Sequence, residues 1–250
     1  LRLKKMMSDR GIKRNITISE TVSLPYACRI VTYNTVMIHK RKSRLKIASS
    51  PSRNNPVAVD MMNDIFAGYV NFIPGKNLLE VDLDNPNQIL HPFPVLLNYG
   101  AIENNPETFR HYMDGITPLI SEKMMQMDEE RLAIGRAFSL ELMSTLEQLK
   151  MYYGENDAKT YYEYVNSPQS PYKDVVGHNV RSRYLTEDVP GLNVPAMQLA
   201  EKAAVETPIT ELTVRLTSWL HGVDYVSTGT NLEKLGIANK TPKEIFSLIA

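Results

Sequence analysis

The chain has 250 residues, of which 43% are hydrophobic and 22% are charged, the composition of an ordinary globular protein. Lysine plus arginine and aspartate plus glutamate both number 28, so no basic excess favours nucleic acid or an anionic membrane as a partner. The single cysteine, Cys28, excludes an internal disulfide framework and fits a reducing, cytoplasmic compartment. No apolar stretch is long and unbroken enough to predict a membrane span.

The first residues, "LRLKKMMSDRG", are basic but are not followed by the apolar core of a signal peptide. They open on Leu1 and are typical of the end of a helix. We therefore expect the chain to begin inside a larger protein.

Residues 1–83 carry the patterns of a small mixed α/β unit. Strands are predicted at "NITISETVSL", at "CRIVTYNTVMIHK" with a turn near Asn34, at "RLKIASSP" and at "KNLLEVDL". Between the last two, "NPVAVDMMNDIFAGYV" has apolar residues at helical spacing.

Residues 84–250 are predicted to be an all-α domain. Helices are expected at "PETFRHYMDG", "TPLISEKMMQMDEERLAIGRAFSL", "STLEQLKMYYG", "DAKTYYEYVN", "VPAMQLAEKAAVE", "TPITELTVRLTSWLHG" and "TPKEIFSLIA". On the longest of them, Glu129, Glu130 and Arg131 are expected on the solvated face. Residues 167–192 predict a long loop, which more often carries function than structure.

His91 stands inside the apolar run "NPNQILHPFPVLLN" and is followed by two prolines. Pro92 and Pro94 lack the N–H groups that a continuing helix would pair with the carbonyls of Gln88 and Leu90. We therefore expect the helix to kink, or to stop and restart, at His91.

Two asparagines extend this polar feature. Asn87 shares a helix face with His91, and Asn98 lies near that face if the helix recovers after the prolines. A lone histidine in an apolar segment is more often a buried, hydrogen-bonded structural residue than a catalytic one. The prolines favour the functional interpretation, because helix breaks often mark functional positions.

A second polar stretch, "GHNVRSRYLTEDVPG", ends the long loop. Arg183 could bind a carboxylate with two parallel hydrogen bonds, and Asp188 could hold a histidine by its ring N–H. Taken alone, Arg183, Glu187 and Asp188 are more simply a surface salt-bridge cluster. His178 competes with His91 as the functional histidine. No glycine-rich phosphate loop, H-E-x-x-H or C-x-x-C is present, so we expect no metal site.

The blocks "HPFPVLLNYGAIE", "RYLTEDVPGLNVP" and "NLEKLGI", in this order, resemble the opine dehydrogenase family, which includes octopine and nopaline dehydrogenases. The upstream "ETVSLPYACRI" resembles the last part of that family's nucleotide-binding domain, so the resemblance covers nearly the whole chain. It implies the C-terminal part of a Rossmann domain that binds NAD or NADP at 1–83. It further implies an all-α substrate domain like the C-terminal domain of 6-phosphogluconate dehydrogenase at 84–250.

The resemblance also implies a reaction and a set of residues. An α-keto acid and an amino acid form an imine, which hydride from the nicotinamide reduces to a secondary amine dicarboxylate. His91 and Asp188 match the family's catalytic histidine and aspartate, and Arg183 and Asn87 match substrate-binding positions; we place Asn98 with them. His91 would exchange protons with the substrate, Asp188 would orient its ring, and Arg183 would hold a substrate carboxylate.

Two departures from the family pattern bear on activity. The phosphate loop is absent, so we expect about a hundred residues to precede Leu1, from the usual size of a nucleotide-binding domain. We expect the chain alone neither to bind NAD(P)H tightly nor to turn over. Gly229-Thr230-Asn231 stands where many relatives are expected to carry a Gly-Arg pair, which leaves the amine substrate open.

Two other functions remain open from the sequence. One is a two-domain dehydrogenase of the same architecture that acts on another small 2-keto or 3-hydroxy acid. The other is a non-catalytic helical dimerisation module. The Met-rich long helix permits a homodimer.

Overall fold

A computed structural model describes residues 1–12, 14–176 and 179–249. The strands are β1 (Ile18–Thr21), β2 (Tyr26–Thr32), β3 (Thr35–Arg41), β4 (Arg44–Ser50) and β5 (Asn71–Pro74). The α-helices are α1 (Arg2–Asp9), α2 (Asn55–Phe66), α3 (Leu78–Leu83), α4 (Asn87–Leu90), α5 (Pro92–Leu97), α6 (Tyr99–Asn104), α7 (Pro118–Ala137), α8 (Thr145–Tyr153), α9 (Tyr161–Asn166), α10 (Arg183–Thr186), α11 (Val194–Lys202), α12 (Pro208–His221), α13 (Tyr225–Thr228) and α14 (Pro242–Ile249). A 3₁₀ turn (Ser52–Asn54) follows β4, and a π-helical segment (Val189–Asn193) precedes α11.

The sheet is small and centres on β4. Strand β1 pairs with it antiparallel, and β5 pairs with it parallel through the crossover helix α2. Because both faces of a central strand are covered, β4 is buried along most of its length, including Leu45 and Ile47. Strands β2 and β3 form a separate antiparallel hairpin that turns at Tyr33 and Asn34, which confirms the turn predicted there.

The strand predicted at "KNLLEVDL" is wrong, because this segment forms helix α3. The Asn77 side chain accepts a hydrogen bond from the Glu80 amide at 3.0 Å, and the Glu80 carboxylate accepts one from the Lys76 amide at 2.5 Å. These bonds satisfy the Glu80 amide in the first turn and fix the backbone at Lys76 just before the helix, and they outweigh the apolar run that suggested a strand. The strand lies just before it, at β5.

The helix predicted at "PETFRHYMDG" is also wrong, because the segment folds as successive turns. Its amides are used elsewhere: that of His111 donates to the Val175 carbonyl at 3.1 Å, and that of Arg110 donates to the Asp114 carboxylate at 2.9 Å. The chain also folds back closely at Gly115, where a Cβ atom would lie 2.2 Å from the His111 carbonyl oxygen. This segment delivers His111 and Tyr112 to the site described below.

The expected solvated face of α7 is wrong for Arg131, which is completely buried. Its guanidinium donates to the carboxylates of Asp128 at 2.7 Å and Asp84 at 3.0 Å, and to the carbonyls of Leu83 and Met143. All these acceptors come from the ends of neighbouring elements or from α7 itself. A buried guanidinium is stable only with such partners, and apart from Asp128 none of them is evident from the α7 sequence.

The same network joins the sheet to the helices. Lys46 of β4 donates to Glu80 at 2.5 Å and to Asp84 at 2.7 Å, so Asp84 links it to Arg131. Burial raises the pKa of Asp84, and the charges of Lys46 and Arg131 oppose that rise. Further along α7, Asp128 also accepts hydrogen bonds from Thr145 and Tyr161. The network fixes the chain that leads from α3 into α4.

Glu130 is likewise buried rather than solvated. Its two oxygens accept the amides of Ile209 at 2.7 Å and Thr210 at 2.9 Å, which are the first free donors of α12. A carboxylate is favourable there because of the positive end of the helix dipole. Glu129 alone fits the expectation: it is exposed and pairs with Arg136.

The hydrophobic core is shared between the two predicted domains. One cluster contains Leu45 and Phe72 of the sheet together with Met124 and Tyr161 of the helices. The boundary at residue 84 therefore stays a prediction. Within the described ranges, no helix is long and apolar enough to cross a membrane.

We predict that Arg131→Met lowers the free energy of unfolding by about 3–5 kcal/mol, because it leaves Asp84 and Asp128 buried without their shared cation. Arg136→Met on the same helix removes only the exposed pair with Glu129 and should cost less than about 1 kcal/mol. Urea denaturation of both variants measures the difference. Equal losses would contradict the role assigned to the buried network.

Candidate active site

The site is built around a break in the helix at His91. Helix α4 ends at Leu90 and α5 begins at Pro92, so the predicted stop and restart is confirmed. His91 lies between the two helices with φ −110° and ψ −65° and belongs fully to neither. The break follows from the two prolines, which lack the N–H groups that would pair with the carbonyls of Gln88 and Leu90.

Both carbonyls freed by the prolines bind side chains from other segments. The Leu90 carbonyl accepts a hydrogen bond from Nε2 of His111 at 2.9 Å. The Gln88 carbonyl accepts one from Nδ2 of Asn193 at 3.4 Å. Buried carbonyls need such partners, so the break draws the 105–117 segment and the π-helical segment towards His91.

Both ring nitrogens of His91 are engaged. Nδ1 lies 2.7 Å from Oδ2 of Asp188, and Nε2 lies 3.0 Å from the hydroxyl of Tyr112. The Tyr184 ring stacks on the imidazole with centroids 3.8 Å apart and planes inclined by 14°. The residue is only 4% exposed. This is a fixed histidine–carboxylate pair inside an aromatic enclosure.

A chain of hydroxyl groups runs from His91 to a cation. The Tyr112 and Tyr184 hydroxyls are hydrogen-bonded to each other, and Nη2 of Arg29 donates to the Tyr184 hydroxyl at 2.6 Å. Because Nδ1–H of the neutral ring donates a hydrogen bond to Asp188, Nε2 of that ring accepts a hydrogen bond from the Tyr112 hydroxyl. The Tyr112 oxygen in turn accepts a hydrogen bond from the Tyr184 hydroxyl, and the Tyr184 oxygen accepts one from Arg29. Protonation of His91 would require these hydroxyls to reorient.

The electrostatics favour neutral His91. Burial lowers its pKa below the ordinary value of 6.5, the charge and hydrogen bond of Asp188 oppose this, and the charges of Arg183 and Arg29 lower it further. Burial also raises the pKa of both Tyr112 and Tyr184. The ring is therefore an available base near neutral pH, and the phenols stay protonated.

Asp188 is held in place by the backbone that follows it. It lies directly before the π-helical segment, a rare geometry that occurs often at functional sites. Gly229 packs against that segment so closely that a Cβ atom would lie 2.8 Å from the Pro190 carbonyl oxygen. The Thr230 amide donates to the same oxygen at 2.7 Å. The glycine of the divergent Gly229-Thr230-Asn231 block thus supports Asp188.

Arg183 is the first residue of α10 and is exposed. The surface salt-bridge cluster considered for Arg183, Glu187 and Asp188 is wrong, because Asp188 pairs with His91. Among the described residues, Arg183 has no carboxylate partner. Its charge nevertheless lowers the pKa of His91, so it lies within electrostatic range of the pair.

The asparagines differ in their surroundings. Asn87 is half-buried at the start of α4, and its carbonyl accepts the His91 amide at 3.3 Å. Nδ2 of Asn98 donates to the carbonyls of Pro94 at 2.8 Å and Gly115 at 2.9 Å, so its donor serves the backbone. Their substrate-binding roles stay predictions. His178 lies outside the described residues.

Sequence reasoning missed Arg29, His111 and Tyr112 as members of the site. Arg29 comes from the β2–β3 hairpin, and the other two come from a segment predicted to be a helix. Tyr184 was visible only as a neighbour of Arg183. Arg29 and Tyr184 lie in the blocks that carry the family resemblance, but no role was assigned to them, because all four residues reach the site through long-range contacts.

The described residues do not form a dinucleotide phosphate site. The one parallel crossover leaves β4 through Pro51 and the turn Ser52–Asn54, which contains no glycine. The Asn55 side chain fills the corner by bonding the Ser49 amide at 2.7 Å and the Gly75 carbonyl at 2.8 Å. Contacts to the phosphates of a dinucleotide are therefore assigned to none of these residues.

Comparison with known proteins identifies relatives along the whole chain. The family model of the NAD/NADP octopine/nopaline dehydrogenase α-helical domain matches residues 74–221. An opine dehydrogenase of Arthrobacter sp. is 31% identical over 250 residues, which are 100% of this chain and 68% of the relative. Vitopine synthase of Allorhizobium ampelinum is 25% identical over 235 residues, covering 94% of this chain and 64% of the relative.

Solved structures show the same fold. Octopine dehydrogenase with NADH and L-arginine superposes with a TM-score of 0.72 at 20% identity, over 92% of this chain and 64% of that one. Yersinopine dehydrogenase with NADP⁺ gives a TM-score of 0.71 at 12% identity, over 99% and 68%. The chain thus spans about two thirds of the length of these relatives. By its family-model match and its identity to the Arthrobacter enzyme, the chain belongs to the octopine/nopaline dehydrogenase family.

Proposed function

We propose that this chain carries the substrate side of an opine-dehydrogenase-like oxidoreductase. The reaction is the NAD(P)H-dependent condensation of an α-keto acid with an amino acid through an imine, which is reduced to a secondary amine. The observation that carries the proposal is the buried His91–Asp188 pair, together with Arg183, whose charge acts on His91 and which has no carboxylate partner among the described residues. Family membership supports the same reaction class.

The reaction needs a base and then an acid at one position. An amino acid must lose a proton from its ammonium group before its nitrogen can attack the keto carbon, and the hydroxyl formed there must gain one to leave as water. Neutral His91 accepts the first proton and returns it, and Asp188 stabilises the imidazolium formed in between. Such a residue contributes about 10²–10⁴-fold to the rate.

Tyr112 takes part in this proton exchange because its hydroxyl occupies Nε2 of His91. The hydroxyl either yields its place to the substrate amine or passes the proton between the amine and the ring. In both cases the aromatic enclosure keeps bulk water from the imidazole, which protects an imine from hydrolysis.

The cofactor and substrate classes come from relatives. The matching structures of octopine dehydrogenase contain NADH with L-arginine, agmatine or pyruvate, and that of yersinopine dehydrogenase contains NADP⁺. For this protein we propose NAD or NADP, which supplies the hydride, with an α-keto acid and an amino acid as substrates. Arg183 would bind one substrate carboxylate and orient the imine, with Asn87 and Asn98 as further contacts.

We also propose a cytoplasmic location and a homodimer. The free thiol of Cys28 supports a reducing compartment. On the long helix, Met124 and Met127 are buried in the chain's own core, which leaves Met125 exposed. Trp219 is 77% exposed and offers apolar surface that a subunit contact would bury. Light scattering of the purified full-length protein tests the dimer.

The proposed reaction predicts an absolute requirement for two co-substrates. In the full-length enzyme, NAD(P)H oxidation should need both pyruvate, or another α-keto acid, and an amino acid. Spectrophotometric assays with each substrate omitted in turn test this. Oxidation with the keto acid alone would instead identify a dehydrogenase of a small 2-keto acid.

His91→Gln in the full-length enzyme should lower kcat by about 10²–10⁴-fold, because the amide cannot exchange the proton. His221→Gln is the matched control. His221 is also buried and bonds a tyrosine hydroxyl, that of Tyr225 at 3.0 Å, but no carboxylate. Its kcat should stay within a few-fold of wild type. Full activity in the His91 variant would refute the catalytic assignment.

Asp188→Asn should lower the pKa of His91 further, because the Asp188 charge and hydrogen bond are what raise it. A titration of the histidine ring resonances by NMR measures this shift. Since the folded pKa lies below 6.5, the contribution of His91 to stability is complete above that pH and is lost as the pH falls. Glu187→Gln, an exposed neighbour, should leave the titration unchanged. A raised His91 pKa in the Asp188 variant would contradict the pairing.

A further inference from the structure

We propose that Arg29 binds a second substrate carboxylate, so that the site holds a dicarboxylate between the guanidinium groups of Arg29 and Arg183. This inference rests on the proposed function and deepens it. Arg29 lies in the block "ETVSLPYACRI", but the family resemblance assigned no role to it. The ligand class is an N-(1-carboxyalkyl) amino acid, a secondary amine that carries a carboxylate on each side.

Arg29 lies within the site although its strand belongs to the other end of the chain. Its Nη2 donates to the Tyr184 hydroxyl at 2.6 Å, and its guanidinium carbon lies 5.8 Å from the centre of the Tyr184 ring. That ring is the one stacked on His91 at 3.8 Å. The cation is therefore separated from the imidazole by a single aromatic side chain.

Arg29 has no anion in the part of the chain that the structure describes. It is half-buried, and the acceptor recorded for it is a neutral phenol. The structural arginine of this fold, Arg131, is by contrast paired with the carboxylates of Asp84 and Asp128. A partly desolvated guanidinium without a counter-charge is costly, and four of its five donors remain for a ligand.

The charges around His91 also support a ligand with two carboxylates. Asp188 is the carboxylate bonded to the ring, and it is matched by two guanidinium groups whose charges both reach His91. The two arginines come from separate elements, the β2–β3 hairpin and α10. Each can bind one carboxylate in the bidentate manner, so a ligand held by both would carry its amine between the two guanidinium groups.

The test compares Arg29→Gln with a matched control, Arg41→Gln, in the full-length enzyme. Arg41 lies on the same hairpin and faces the ring of Tyr69 at 5.3 Å. The probes are the dicarboxylate product and its two mono-amides, in each of which one carboxylate is replaced by a neutral isostere. Dissociation constants are measured by calorimetry with the dinucleotide present.

Arg29→Gln should weaken binding of the dicarboxylate by about 10- to 100-fold, the effect of losing a hydrogen bond to a charged group. One mono-amide should bind to wild type and Arg29→Gln equally, because it already lacks the carboxylate that Arg29 holds. The other mono-amide should lose the full factor. Arg41→Gln should bind all three probes as wild type does.

Equal loss for both mono-amides, or no loss for any probe, would overturn the assignment. If Arg29→Gln does not fold, Arg29→Lys keeps the charge but loses the bidentate geometry and should show a smaller loss confined to the same mono-amide. Wild-type enzyme that needs both co-substrates but shows no effect at Arg29 refutes this inference alone. Wild-type enzyme that does not need an amino acid refutes the proposed function instead.

Discussion

The site depends on one local constraint, the loss of helical hydrogen bonding after His91. Pro92 and Pro94 leave two carbonyls without amide donors, and buried carbonyls must be satisfied. His111 and Asn193 satisfy them from distant segments. The first brings Tyr112 to Nε2 of His91, and the second lies at the end of the π-helical segment that begins after Asp188. One backbone defect thus gathers both partners of the histidine.

The arginines of this fold occupy two kinds of environment, one structural and one that we propose to be functional. Arg131 is buried with two carboxylates and ties α7 to α3, so its charge is neutralised within the chain. The charges of Arg29 and Arg183 act on His91, and the carboxylate bonded to that histidine is Asp188. Their charges lower the pKa of His91, and we propose that both guanidinium groups bind an anionic ligand. We propose that the carboxylates of a ligand complete the balance of charge at the site.

The sequence predicted features that depend on local chemistry. The two prolines predicted the break at His91, Thr117 and Pro118 predicted the start of α7, and Asn34 predicted the hairpin turn. It failed where distant partners decide the outcome. The burial of Arg131 depends on Asp84, which lies 47 residues away, and nothing in the local pattern of α7 reveals that carboxylate.

The residues of the candidate site also divide into those that the sequence predicted and those that depend on distant partners. His91 and Asp188 could be paired in advance only through the family resemblance, because 97 residues separate them. Tyr112 lies in a segment whose composition suggested a helix. The backbone amide of His111 instead donates to the remote Val175 carbonyl, and that of Arg110 donates to the Asp114 carboxylate. Arg29 reaches Tyr184 across 155 residues. Long-range packing, which has no sequence period, brought these residues together.

The central claim is that the His91–Asp188 pair serves the nitrogen of an imine-forming substrate. A crystal structure of the full-length enzyme with oxidised dinucleotide and the dicarboxylate product tests it most directly. The account predicts the secondary amine nitrogen within hydrogen-bond reach, about 2.6–3.2 Å, of His91 Nε2 or of the Tyr112 hydroxyl. An amine bound on another face of the domain, with His91 still enclosed by Tyr112 and Tyr184 and out of its reach, would contradict the account.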